Sequence, residues 1–122
     1  MLTERDESFP MRRWDELTKK QKKHIREIAG MAYERELAVA LDKLLASFQK
    51  WKKGEINAFD ADEKIHEYHN GAARELYKLY VTGAPDMAVL IALKNGILQI
   101  EDLNEDCRSF YQERVSRLFG PS

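Results

Sequence analysis

The sequence has little of what marks a secreted or cysteine-liganded protein. It contains one cysteine, Cys107, and three prolines among 122 residues. A lone cysteine cannot form an intramolecular disulfide or a cysteine-based zinc cage, and it is typical of a reducing compartment. The first residues, from Met1 to Glu7, are polar and acidic, whereas a secretory signal has a basic start and then an apolar run. We therefore expect a cytoplasmic protein without an export signal.

Long hydrophobic runs and an excess of one charge are also missing. The longest apolar stretch, Met87 to Leu93, falls far short of the roughly 20 residues that cross a bilayer, so we expect no membrane span. Lysine and arginine number 20 against 21 acidic residues, which gives a net charge of -1. Such a balance creates no long-range field to attract nucleic acid. The basic run from Lys19 to Arg26 is interpreted as a solvated helix face.

Signatures of catalysis are absent from the sequence as well. Its six glycines are scattered singly, so none belongs to a loop that cradles phosphates. Cys107 lies beside Glu105 and Asp106, whose charges oppose formation of a reactive thiolate. The sequence therefore favours a non-catalytic role and predicts no organic cofactor.

What the sequence does contain is helical periodicity, first of all in one long segment. Thr18 and Gln21 have the spacing of a capping box, and Gly54 suits the position just after a helix end. The interval between them predicts a helix over about 18–53, with Gly30 as a bend or a site of close packing. Its apolar residues recur at steps of three and four: Ile25, Ile28, Ala29, Ala32, Ala40, Leu44, Phe48 and Trp51.

Three shorter helices are predicted after the long one. The second begins near Asp60, with Glu63 in its first turn, and ends before Pro85. Pro85 opens the third helix, which is apolar nearly all round and so belongs at the centre of the fold or between subunits. The last helix follows Asn104, and the short segment between them is a buried connector. We predict an all-α fold: a bundle of about four helices in residues 15–122, preceded by a flexible or docked N-terminal arm, residues 1–14.

The length of the first helix predicts association. A helix of some 35 residues measures about 50 Å, whereas a compact domain of this size is nearer 30 Å across. A second copy of the chain is the most economical cover for the overhang. The sequence therefore predicts a homodimer formed through the long helix and Met87–Leu93, acting as a protein–protein interaction or regulatory module with a protein partner.

A cluster of histidines and acidic residues suggests an alternative function. His66 and His69 lie three residues apart on a predicted helix, with Glu63 one turn earlier, and this spacing allows one transition metal to be shared. Each chain has one such set, so the site would form at a subunit junction, where Glu36 is a further candidate ligand. Other interpretations are a structural core histidine for His69 and a helix cap for Glu63. The carboxylate of Glu36 falls on the apolar stripe and therefore needs a partner, either His69 or an Arg or Tyr of another helix or subunit.

Overall fold

The described part of the protein is helical throughout and contains no strand. The computed structural model describes the backbone of residues 13–119 and the side chains of residues 13–117. The predicted all-helical fold with four helices is confirmed. Residues 1–12, most of the predicted arm, lie outside the described residues. So do Gly120 and Pro121, the residue types that are expected to end the last helix. The helices are α1 (Lys19–Lys52), α2 (Ala58–Tyr68 and Arg74–Tyr80, joined by a π turn at His69–Ala73), α3 (Pro85–Lys94) and α4 (Glu105–Phe119).

The ends of α1 are set by the residues that the sequence indicated. Thr18 Oγ1 accepts a hydrogen bond from the Gln21 backbone N–H at 3.0 Å, and the Thr18 N–H donates to Gln21 Oε1 at 2.8 Å. The capping box therefore satisfies two donors that the first turn leaves open. Gly54 has a φ of 80° just past the helix, where a residue with a Cβ would be strained.

Helix α2 begins earlier than the sequence predicted. Asn57, rather than Asp60, is its N-cap, and the Asn57 side chain accepts from the Asp60 N–H at 2.8 Å. Asp60 instead closes the reciprocal bond by accepting from the Asn57 N–H at 3.2 Å. This places Glu63 beyond the first turn, so its predicted role in the cap is wrong. An asparagine cap forms the same box as the predicted aspartate, three residues upstream.

Helix α3 is central to the core of the single chain. Pro85 stands at its first position, where the missing N–H costs no hydrogen bond. Four of its residues are buried, whereas Met87 keeps 48% of its surface exposed. The predicted central position of this helix is confirmed. Its use as a dimer contact stays a prediction, for which little apolar surface remains because the intrachain core already covers most of it. The buried residues are Ala88, Val89, Leu90 and Ala92.

The core lies entirely at one end of α1. Its members come from the first half of α1, from α3, from the connector and from α4, and Trp14 and Val115 pack at its edge. The Tyr111 hydroxyl donates to the backbone carbonyl of Asp86 at 3.0 Å and so ties α4 to α3. The buried apolar side chains of α1 and α4 are Ile25, Ile28, Ala29, Ala32, Cys107, Phe110 and Tyr111, and the connector adds Leu98 and Leu103.

Beyond Ala32 no residue of α1 is buried. Residues 33–52 extend about 30 Å further at 1.5 Å per residue. At the core end Arg35 donates hydrogen bonds to the Ile97 carbonyl and to Asp102. Beyond it α2 returns along α1 and contributes one buried residue, Ala61. We call residues 33–80 the hairpin. Away from its core end, no other element in the described part of the chain covers either side of this two-helix layer. Within the described residues, no helix is long and apolar enough to cross a membrane.

Candidate interaction surface

An open groove of about 540 Å³ runs along one flank of the hairpin, between α1 and α2. Small side chains at Ala40 and Ala72 leave room in its floor, and Ile97 of the connector stands at the core end. The groove is apolar inside and charged at its edges, which is the composition expected of a surface that binds another helical surface. Its lining comprises Glu36, Val39, Ala40, Lys43, Leu44, Ser47, Lys64, Glu67, Tyr68, Ala72, Glu75, Leu76 and Ile97.

The charged side chains that line the groove differ in how they are paired. The α1 edge carries Glu36, which accepts a hydrogen bond from Tyr80, and Lys43, which forms no ion pair within the described residues. The α2 edge carries Lys64, Glu67 and Glu75. Among the described residues Lys64 pairs with Glu67 at 3.3 Å, and Glu75 pairs with Lys78 at 3.9 Å. Exposed pairs of this kind contribute at most about 1 kcal/mol, so they do not prevent either glutamate from meeting another cation.

The core end of the groove is closed by a hydrogen bond between the two helices. The Tyr80 hydroxyl donates to Glu36 Oε2 at 2.5 Å, and the Tyr80 ring stacks on Tyr33 with centroids 5.2 Å apart. Burial and the bond to Glu36 both raise the pKa of Tyr80, so the hydroxyl remains a donor at neutral pH. The prediction that Glu36 meets a tyrosine of another helix is confirmed, and the alternative partner, His69, is wrong.

The opposite flank of the hairpin is also apolar. Leu41 and Leu45 keep 47% and 51% of their surface exposed. Leu45 and Phe48 line a shallower depression of about 420 Å³, which Lys52 and Lys53 border. At 100° per residue these leucines lie on the side of α1 that faces away from Lys43 and Val39. The hairpin therefore exposes apolar side chains on both flanks.

The four candidate metal ligands do not come together within one chain. His66 Nε2 lies 3.4 Å from Asp62 Oδ2, Glu63 is exposed, and Glu36 is occupied by Tyr80. Among the described residues, no three His, Cys, Asp or Glu side chains are placed to hold a metal ion. The proposed site was at a subunit junction, so it stays a prediction, which elemental analysis of tag-free protein tests.

His69 is exposed rather than in the core, and the reason is geometric. An apolar stripe of α2 centred on Ile65 would put His69 in the core, because His69 lies only 40° from Ile65 at 100° per residue. The side of α2 that packs on α1 is instead marked by the buried Ala61 and half-buried Tyr68. His69 lies roughly 90° from that direction and therefore reaches solvent.

The basic run at the start of α1 serves the fold in part. Lys22 Nζ and Arg26 Cζ lie 5.8 Å and 5.6 Å from the centroid of the Trp14 ring, which packs against the core. Lys19, Lys20 and Lys23 are exposed. Two of the cations thus hold the segment before α1 in place, and the others form a solvated face.

Sequence reasoning missed two features of the groove, the arrangement of its charged side chains and the π turn in α2. That arrangement depends on the antiparallel pairing of α1 and α2, and the pattern of either helix alone does not contain it. The only sequence signal for the π turn is the run of small residues from Gly71 to Ala73. Compared with protein-family models, with curated proteins and with solved structures, the chain matches none.

Proposed function

We propose that the protein is a non-catalytic, dimeric protein–protein interaction module whose hairpin is the association surface. The observation that carries the proposal is the absence of any buried α1 residue beyond Ala32, although the helix continues for about 30 Å. A layer of two helices cannot shelter its own apolar side chains, and a second layer is the usual solution. A second copy of the chain can supply that layer without a different protein, and symmetric homodimers are the commonest oligomers.

The spacing of apolar residues along the hairpin supports this function. Residues 37, 41, 44, 48 and 51 of α1 follow the alternating steps of four and three that line a helix-packing seam. In the single chain the first, third and fourth are half-buried, whereas Leu41 and Trp51 remain exposed. Because part of this packing seam stays exposed in the single chain, we infer that a helix of another molecule packs against it.

The size of the surface is sufficient for a dimer. A flank about 30 Å long and two helices, or about 20 Å, wide covers about 600 Å². Stable interfaces bury roughly 800 Å² on each partner, and accessible area exceeds projected area because side chains protrude. One flank therefore suffices for a second copy and leaves the other for a protein partner. We place this module in the cytoplasm, on the basis of the lone cysteine.

Sedimentation equilibrium tests the proposal directly. At micromolar concentration we expect twice the 14.3 kDa mass of one chain. Val39→Glu and Leu45→Glu place a charge on opposite flanks, and the flank that forms the dimer is the one where the charge lowers the mass. Met87→Glu is the matched control, because Met87 is equally exposed but lies outside the hairpin. A mass of one chain for the wild type would refute the proposal.

A further inference from the structure

We propose that the second copy covers the groove, with α1 of each copy lying against α2 of its partner around a twofold axis parallel to the hairpin. This inference rests on the proposed dimer and specifies its face and symmetry. The two grooves then face each other and become the core of a four-helix bundle, in which side chains of both copies fill the space above Ala40 and Ala72.

The charges at the groove edges select this arrangement. In a twofold dimer every contact occurs twice. Where residue i of one copy touches residue j of the other, residue j of the first copy also touches residue i of the second. Placing α1 against the partner's α2 brings Lys43 toward the edge that carries Glu75, where Lys64 and Glu67 already pair with each other. Placing α1 against the partner's α1 instead brings the two copies of Lys43 to the same side of the interface, where like charges repel.

The heights of the charged residues agree with the same arrangement. The Glu36–Tyr80 bond fixes the register of the hairpin. Counting 1.5 Å per residue from that bond along both helices, Lys43 and Glu75 lie within about 3 Å of the same height. In one chain the groove separates them, since both line it and no ion pair joins them. A twofold axis parallel to the groove preserves height, so Lys43 of each copy meets Glu75 of its partner, twice per dimer.

The π turn contributes the required shape. It occupies His69–Ala73, and Ala72 within it lines the groove. Short π segments inside α-helices are frequently found at functional sites. Three consecutive small residues, Gly71, Ala72 and Ala73, let a partner helix approach this part of α2 closely.

A charge exchange tests the proposal. Lys43→Glu places a glutamate opposite Glu75 of the other copy, and Glu75→Lys places a lysine opposite Lys43, so each variant alone places like charges opposite one another twice per dimer. We expect each to weaken self-association about tenfold or more, measured by sedimentation velocity at low salt. Mixed together, the two variants carry opposite charges at both contacts. With one of them ¹⁵N-labelled, native mass spectrometry should then show predominantly the mixed dimer.

Lys23→Glu is the matched control, because Lys23 is an exposed α1 residue outside the groove and the change in net charge is the same. Helical content by circular dichroism should match the wild type for all variants. If the wild type is dimeric while both variants associate as tightly as it does and mix statistically, the groove assignment is wrong and the proposed dimer stands. If the variants are monomeric alone and also in the mixture, the pairing is wrong. A monomeric wild type overturns both proposals.

Discussion

The hydrogen bond between Tyr80 and Glu36 offers the sharpest measurement of what joins the two helices of the hairpin. Tyr80→Phe removes the hydroxyl and retains the ring, which remains stacked on Tyr33. A hydrogen bond to a charged acceptor contributes about 1.5–3 kcal/mol to stability, and more is lost when a buried charge is left without a donor. Because both side chains are only half-buried, water can replace part of the interaction. We therefore expect a loss of about 1.5–2 kcal/mol.

Urea unfolding followed by circular dichroism at neutral pH measures this loss. Tyr77→Phe is the control, since the Tyr77 side chain is exposed, lies one turn earlier in α2 and forms no hydrogen bond within the described residues; its change should stay within about 0.5 kcal/mol. In a double-mutant cycle with Glu36→Gln, most of the loss should appear as coupling between the two positions. The reasoning is refuted if both phenylalanine variants have the same stability, or if the coupling is zero.

Two further predictions concern glycine packing and an ion pair. Gly30 is exposed within α1, and a Cβ there would meet nothing within 4 Å, so Gly30→Ala should stabilise the protein by about 0.5–1 kcal/mol. A Cβ at Gly83 would lie 2.6 Å from the Leu79 carbonyl oxygen, so Gly83→Ala should destabilise the protein by about 1–3 kcal/mol in the same urea assay. Equal effects of the two substitutions would contradict this reasoning. Hydrogen bonds from Arg35 and from the Gln99 N–H hold the pKa of Asp102 below its usual value. A carboxylate whose pKa is lowered by folding stabilises the folded state fully at pH values above its unfolded-state pKa of about 3.9. It loses that contribution as the pH falls through its folded-state pKa. The stability difference between wild type and Asp102→Asn should therefore be constant above about pH 5 and shrink below about pH 4; a difference that does not change with pH would show that Arg35 and Asp102 are not coupled.

The features of the fold that depend on neighbours in sequence were predictable. The features in question are the Thr18 capping box, the glycine after α1, Pro85 at the start of α3 and the Asn104 cap of α4. Each acts on backbone groups within four residues of itself, Pro85 by lacking an N–H that the first turn would leave without a partner. A sequence contains all of that information. The start of α2 was misplaced because Asn57 and Asp60 both cap well, and only the packing of Ala61 against α1 decides between them.

The groove could not be predicted in the same way, because it depends on how α1 and α2 lie against each other. An error of about 50° in the direction of the apolar face of α2 moved His69 from solvent into the core and suggested a partner for Glu36 that it does not have. The prediction that the Glu36 carboxylate needs a partner was nevertheless correct. Burying an unpaired carboxylate is costly in free energy, whichever direction the apolar face has. Gly30 is a second position where the neighbouring helices decide. The sequence allowed close packing at Gly30, whereas in the structure a Cβ there would meet no atom within 4 Å.

The division of α1 into a half that packs in the core and a half that does not has a consequence for how the molecule responds to concentration. The core is complete within one chain, so its free energy of unfolding does not depend on a second copy. In the dimer that we propose, the side chains that line the groove, among them Val39, become buried only when another copy binds, whereas Leu41 and Leu45 on the opposite flank stay exposed. Binding that occurs only in the folded state stabilises that state by mass action. The proposal therefore links the stability of the hairpin, but not that of the core, to protein concentration.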